Sequence, residues 1–235
     1  PEAVVSAPTW QNHVAIFEQA GFEVGSYPYY DKASGEINFP AMLESLKGLK
    51  ENTVVILHAC CHNPTGLDLT QEQWAQVVDV CAAHKLIPFL DIAYQGFGDG
   101  LEEDAGAIRQ FAASGITFLV ANSFSKSFSL YGERIGALTV VCHNSEEASR
   151  VMSALKAVIR ANYSNPPAHG AKIVGQVLND PELLAQWHAD LKEMRERIKE
   201  MRRDLADELK ALGAKKDFEF VTRQKGMFSF SGLTP

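Results

Sequence analysis

The sequence predicts an α/β fold: a mostly parallel sheet with helices on both faces, followed by the beginning of a smaller α+β region. Three apolar runs of strand length, TVVILHA (53–59), LIPFLDIAY (86–94) and ITFLVANS (116–123), alternate with helical patterns. Uninterrupted apolar runs belong to strands buried on both faces, and helical crossovers return the chain in the same direction. At 235 residues, 46% of them hydrophobic and 22% charged, the chain has ordinary globular composition and enough length for one large domain plus part of another.

The elements follow in order. After the first strand, LTQEQWAQVVDVCAAHK (69–85) repeats Trp74, Val77, Val78 and Cys81 at helical spacing, with Thr70 placed to cap it. EEDAGAIRQFAAS (102–114) reads as a second helix. GALTVVC (136–142) follows the third strand after about a dozen residues with no helical pattern between, so it is expected to run antiparallel. NSEEASRVMSALKAVIR (144–160) is a helix with Ser145 as its candidate cap, and YSNPPAHGA (163–171) breaks it because paired prolines cannot continue a helix. Asp180-Pro181 opens a segment that runs to Leu212 and stops at Gly213. At 1.5 Å per residue such a helix spans about 45 Å, long enough to bridge two bodies. DFEFVTR (217–223) and GMFSFSGL (226–233) look like strands. The expected organisation is a large domain over 1–180, an inter-domain helix over 181–212 and the start of a small domain over 213–235.

Composition removes several functions. A net charge of −7 without a basic run argues against nucleic acid. No apolar run is long enough to span a bilayer, and the first ten residues lack a signal-peptide pattern, so no membrane partner and a cytoplasmic location are expected, an organelle remaining open. Four cysteines do not make a disulfide scaffold and read as reduced core residues. The elbow GxSxG and the phosphate loops GxxxxGK[ST] and GxGxxG are absent.

Ligands of open parallel sheets bind beyond the carboxyl ends of the strands. There the first strand delivers HACCHNPTG (58–66), the second Asp91 and Tyr94, and the third Ser123 and Lys126. Lys126 has no charged residue within six positions on either side, which is unusual for a surface lysine. His58, Cys60 and His62 would lie roughly 6.6 Å apart along a strand, too spread to wrap one ion, so no metal site is expected. A lysine nucleophile with a carboxylate one βα unit earlier suggests Schiff-base chemistry with pyridoxal phosphate. Such a cofactor needs an anionic partner for its ring nitrogen and phosphate donors, for which Ser123, Ser125 and Arg134 are placed.

The segments PTWQNH (8–13), HACCHNPTG (58–66), DIAYQGF (91–97), SFSKSFSLYGERIGA (123–137), RANYSNPPAHGA (160–171) and GMFSFSGL (226–233), in this order, resemble the aspartate and aromatic aminotransferases, class I of the fold-type I pyridoxal-phosphate enzymes. The resemblance implies transamination of aspartate and/or aromatic amino acids with 2-oxoglutarate, by a ping-pong route through a Schiff base on Lys126. It implies that Asp91 pairs with the ring nitrogen, Asn63 and Tyr94 with the ring oxygen, and Trp10 with the ring face. Ser123, Ser125 and Arg134 would hold the phosphate, and His13 and His58 would back Asp91. Trp10, Asn63, Arg160 and Phe228 would meet substrate, Arg160 from a partner subunit of a homodimer with shared active sites. The family's upstream phosphate-binding helix start and its carboxyl-terminal arginine have no counterpart here, so an internal fragment is expected. A lyase or decarboxylase on the same fold, and a non-catalytic amino-acid sensor, are the alternatives.

Overall fold

A computed structural model describes residues 1–232 of the chain. In chain order the elements are β1 (Glu2–Ala7), α1 (Gln11–Gln19), β2 (Glu23–Pro28), β3 (Tyr30–Asp31), β4 (Glu36–Ile37), α2 (Phe39–Lys47), β5 (Val54–His58), α3 (Gln71–Ala83), β6 (Ile87–Ile92), α4 (Leu101–Asp104), α5 (Gly106–Ser114), β7 (Phe118–Ser123), β8 (Gly136–Val141), α6 (Ser145–Asn162), α7 (His169–Asn179) and α8 (Pro181–Ala211). Short 3-10 turns stand at Tyr131–Glu133 and Glu219–Arg223. Six strands form one sheet in the order β2-β1-β5-β6-β7-β8, and β3 pairs with β4 apart from it. All neighbours in the large sheet are parallel except β7 and β8, which are antiparallel as the short connection predicts.

Alternation along the strands divides the core. Val55, Leu57, Leu90 and Ile92 pack with Trp74, Val77 and Cys81 of α3 and Phe111 of α5. On the other face Ala3, Val5 and Ile56 meet Val14 and Phe17 of α1, and Phe17 lies edge-on to Phe89. The sheet is therefore covered on both faces, which is why β5 and β6 carry no polar stripe.

Local chemistry sets the helix limits. Thr70 caps α3 in a reciprocal capping box with Gln73. Asp180 accepts from the amides of Glu182 and Leu183 to start α8, whose 31 residues extend about 46 Å. Three expectations need correction. The cap of α6 is Asn144, not Ser145, because its side chain accepts from the amide of Glu147. The segment 102–114 is two helices separated at Ala105, since the Asp104 carboxylate turns back to bind the amides of Gly96, Gly98 and Asp99. DFEFVTR forms a 3-10 turn, and the described part of GMFSFSGL forms no strand. Leu233 lies outside the described residues.

The helix α8 ties distant loops together. Trp187 stacks on Phe128 at 4.4 Å and donates its indole N–H to the Ser127 carbonyl at 2.7 Å. Farther along, the buried Arg202 grips the 224–229 segment. Among the described residues no helix is long and apolar enough to cross a membrane.

Candidate active site

The carboxyl edge of the sheet gathers the predicted residues because β5, β6 and β7 are parallel and in register. His58 pairs with Asp91, and Asp91 with Ala121, so the three strands end at nearly one level. The chain after β7 explains the alternation around Lys126. Phe124 and Phe128 pack edge to face at 5.4 Å and Phe128 continues onto Trp187, which anchors the loop from one side. Ser125 and Ser127 are buried between them. Lys126 is left on the opposite side, 4.9 Å from the Tyr94 ring centre and 5.3 Å from that of Tyr131.

A cavity of about 380 Å³ stands at this edge. Asp91, Tyr94, Lys126, Ser123, Ser125 and Arg134 line it, and Trp10, His58, Asn63 and Phe228 complete its wall. Ten of the twelve residues singled out from the sequence thus meet in one place, and His13 touches Asp91 from behind it. The remaining residue, Arg160, lies in the last turn of α6, exposed and hydrogen-bonded to Ser164, outside this cavity. Tyr131 and Ala93 line the cavity too and were not foreseen. The signal for Tyr131 was its place between Lys126 and Arg134 in a segment already marked for chemistry.

Asp91 takes one bond at 2.9 Å from Nε2 of His13, whose Nδ1 stands 3.0 Å from the Thr9 hydroxyl. Its other oxygen has no hydrogen-bond partner among the described residues. Behind this pair lies a buried chain of rings. His58 sits 5.0 Å from His13 and 4.2 Å from His62, and both His58 nitrogens are buried without a hydrogen-bond partner among the described residues. Burial first, then the neighbouring His62 and His13 against the attraction of Asp91, holds His58 well below the usual imidazole range. His62 has a defined tautomer. The Ser6 hydroxyl gives its one proton to the Pro8 carbonyl, so it accepts from Nε2–H of His62 at 2.8 Å. Nδ1 then accepts from Thr65 at 2.8 Å, and burial pulls His62 down to about 3.

Two titrating groups face the cavity in useful states. Burial pushes the Tyr94 phenol up to about 12, with Tyr131 and Asp91 adding to it and Asn63 opposing, so it remains a donor at neutral pH. Burial also lowers Lys126, with Asp91 opposing and Arg134 reinforcing, which favours the nucleophilic amine. Arg134 holds a left-handed backbone at φ 51° and donates to the Tyr131 carbonyl at 2.7 Å.

The loop 58–66 is fixed from outside the cavity. The Asp68 carboxylate accepts from the amides of Cys61 at 2.7 Å and His62 at 2.9 Å, one residue short of Asn63. The Lys225 amide donates to the Gly66 carbonyl at 2.6 Å. Gly226 must lack a side chain, because a Cβ there would stand 2.4 Å from that of Cys61.

Fold and cavity together define an α/β protein with a lysine-bearing ligand site at the carboxyl edge of a parallel sheet. The chain belongs to the aminotransferase class I and II family, whose model matches residues 1–235. It is 58% identical to the aspartate aminotransferase of Pseudomonas aeruginosa over all of its own length and 59% of that protein's. It is 54% identical to the aromatic-amino-acid aminotransferase of Escherichia coli, over 98% of this chain and 58% of that one. Among solved structures, the aromatic-amino-acid aminotransferase of Burkholderia pseudomallei covalently bound to pyridoxal phosphate superposes with a TM-score of 0.98 at 57% identity, covering 99% of this chain and 58% of that one. The chain thus spans somewhat under three fifths of the length of these relatives.

Proposed function

We propose that the whole protein transaminates aspartate and/or aromatic amino acids with 2-oxoglutarate, using pyridoxal phosphate, in a ping-pong cycle shared between the subunits of a cytoplasmic homodimer. The observation that carries this reading is the convergence of Lys126, Asp91, Tyr94 and Arg134 on one cavity. The donor set fits the cofactor. Asp91 keeps an unused carboxylate oxygen for a ring N–H, and the two partnerless nitrogens of His58 lie beside the cavity. When bound, the cofactor supplies an electron sink that acidifies the substrate Cα–H.

The residues have distinct tasks in this proposal. Asp91, steadied by His13, would accept a hydrogen bond from the ring N–H and so keep that nitrogen protonated. Tyr94 and Asn63 donate to the ring oxygen. Ser123, Ser125 and Arg134 hold the phosphate, Arg134 with a fork that matches its oxygens. Trp10 and Phe228 supply apolar walls that keep water from the reacting atoms. Lys126 carries the cofactor covalently and then moves the proton at the substrate Cα, a task suited to an amine whose proton is loosened by burial. Arg160 reads the distal carboxylate of an acidic substrate in the partner subunit. The division into a large domain, the α8 helix and a small domain from 213 onward belongs to the same proposal.

Borohydride reduction of the full-length protein with pyridoxal phosphate, followed by peptide mapping, tests the central assignment. A pyridoxyl label on Lys126 is expected. A label on Lys156 or Lys172 in its place refutes the assignment.

A further inference from the structure

A second cavity, of about 410 Å³, opens between α3, α5 and the loops that follow β5 and β6, and it shares no lining residue with the Lys126 cavity. Five carboxylates line it against two basic side chains. Both bases are engaged, Lys225 with Asp99 at 2.6 Å and Arg109 with Glu102. The loop after β5 adds the Cys60 thiol to this acidic wall, and the adjacent Cys61 thiol, outside the lining, donates to the Tyr94 carbonyl at 3.7 Å; both are free and buried. One ligand atom each from Cys60, Cys61 and the buried Asp104 lie within 4.8 Å of one another.

We propose that Cys60, Cys61 and Asp104 bind one soft divalent cation. Thiolate sulfur selects soft and borderline ions, and two sulfurs with one carboxylate oxygen make a three-point set that leaves a fourth position for water. Metal–sulfur bonds of about 2.3 Å in a tetrahedron place ligand atoms about 3.8 Å apart, so closing the present set takes about 1 Å of movement. Asp104 can join without releasing the loop it holds. Its Oδ2 accepts from Gly96 and Gly98, but its Oδ1 accepts, among the described residues, only from Asp99 and retains a lone pair. Each thiol releases its proton to solvent as its sulfur–metal bond forms, and no electrons change hands. The carboxylates of Asp68, Asp99, Glu102, Glu103 and Asp104 outnumber the two bases around the cavity, a surrounding that favours a cation. The histidines of this segment take no part, since both nitrogens of His62 are used and His58 faces the other cavity. The proposal does not depend on the reaction assigned to Lys126.

Cadmium binding to the full-length protein provides the test, read by equilibrium dialysis and by the ultraviolet thiolate-to-metal absorption. One equivalent with that absorption is expected, while magnesium leaves the spectrum unchanged. Cys60→Ala and Cys61→Ala should each weaken binding at least about tenfold, the scale that even outer-shell changes reach. Cys60→Ser, closer in shape and polarity, guards against misfolding and should lose the same absorption. Cys142→Ala should leave both readouts as they are. Absence of bound cadmium, unchanged affinity in Cys60→Ala and Cys60→Ser, or loss only in Cys142→Ala overturns the proposal.

Discussion

Replacing Arg202 with methionine should loosen the segment that carries Phe228 while leaving the sheet intact. The guanidinium is buried and forms no ion pair among the described residues, the Asp68 carboxylate acting on it only through space. It donates instead to the carbonyls of Gln224, Gly226 and Phe228 and to the Ser229 hydroxyl at 3.1 Å. Methionine keeps most of the apolar stem and removes every donor. Hydrogen bonds to charged groups contribute about 1.5–3 kcal/mol each, so three carbonyls and one hydroxyl lose about 6 kcal/mol or more gross. Relief of the buried charge returns part of this, and a net local loss of about 3 kcal/mol remains. At about 1.4 kcal/mol per decade this is roughly a 100-fold rise in local opening. Native-state amide exchange reads it directly. The Lys225 amide, bound to Gly66, and the Phe230 amide, bound to the Gln224 side chain at 2.9 Å, should exchange about 100-fold faster. The Ala59 amide, bound to the Asp91 carbonyl at 2.9 Å in the sheet, should not change. Protection of Lys225 and Phe230 within about threefold of the parent would refute the clamp.

Asp91→Ala should lower transamination by the full-length protein at least about 10³-fold, several kcal/mol of barrier, with circular dichroism unchanged, and activity within about tenfold would leave Asp91 only a structural role. Arg160→Leu should cost about 2–5 kcal/mol for aspartate and glutamate and spare phenylalanine and tyrosine, as kcat/KM for the four substrates would show; equal losses would remove Arg160 from side-chain reading. Asp68 is buried, which raises its carboxyl from 3.8 to about 6 against the opposing pull of the His62 and Cys61 amides. A raised folded-state value means that its stabilising share is fully present below about pH 4 and is lost as pH rises through about 6, on the order of 3 kcal/mol in all. Denaturant titrations at several pH values should show that Asp68→Asn removes this part of the slope, and an unaltered slope would place the proton elsewhere.

The parallel sheet was legible because both of its faces are covered. Burial on two sides leaves β5, β6 and β7 as apolar runs that no surface strand could tolerate. The first fifty residues hold β1 to β4, α1 and α2, and no comparable run announces the two sheet strands among them: β2 is half polar at the sheet edge, with a glycine and a serine at its centre. The carboxyl-terminal strands failed for a different reason. FEFV and FSFS alternate like strands, yet their aromatic rings serve separate contacts. Phe218 packs on Ala206, Phe228 meets Tyr94 at 5.7 Å, and Phe230 meets Tyr30 at 4.9 Å. Alternation predicts a strand only where a neighbouring strand offers its hydrogen bonds. Here the carbonyls of Gln224, Gly226 and Phe228 find the Arg202 guanidinium instead.

That substitution of a charge for a ladder explains which part of the site the sequence could disclose. Residues that meet a ligand carry distinctive chemistry, and Lys126, Asp91, Tyr94 and Arg134 stood out by type and position. Their supports are ordinary charged residues whose neighbours give no sign of burial. Beyond the carboxyl ends of the strands the backbone turns irregularly, and its amides and carbonyls still need partners once water is excluded. Three of the loops around the site receive buried ionisable side chains for this purpose. Asp68 binds two amides of the loop after β5, Asp104 binds three of the loop after β6, and Arg202 binds three carbonyls of the segment that bears Phe228. A carboxylate is placed where amides converge and a guanidinium where carbonyls converge, so the sign of each charge follows from the polarity of the backbone it satisfies. Rigid loops are what hold Asn63, Tyr94 and Phe228 at one cavity, and those loops are rigid because a buried charge makes several bonds at once. In sequence such a residue cannot be told from a solvated one, since what distinguishes it is the backbone folded around it.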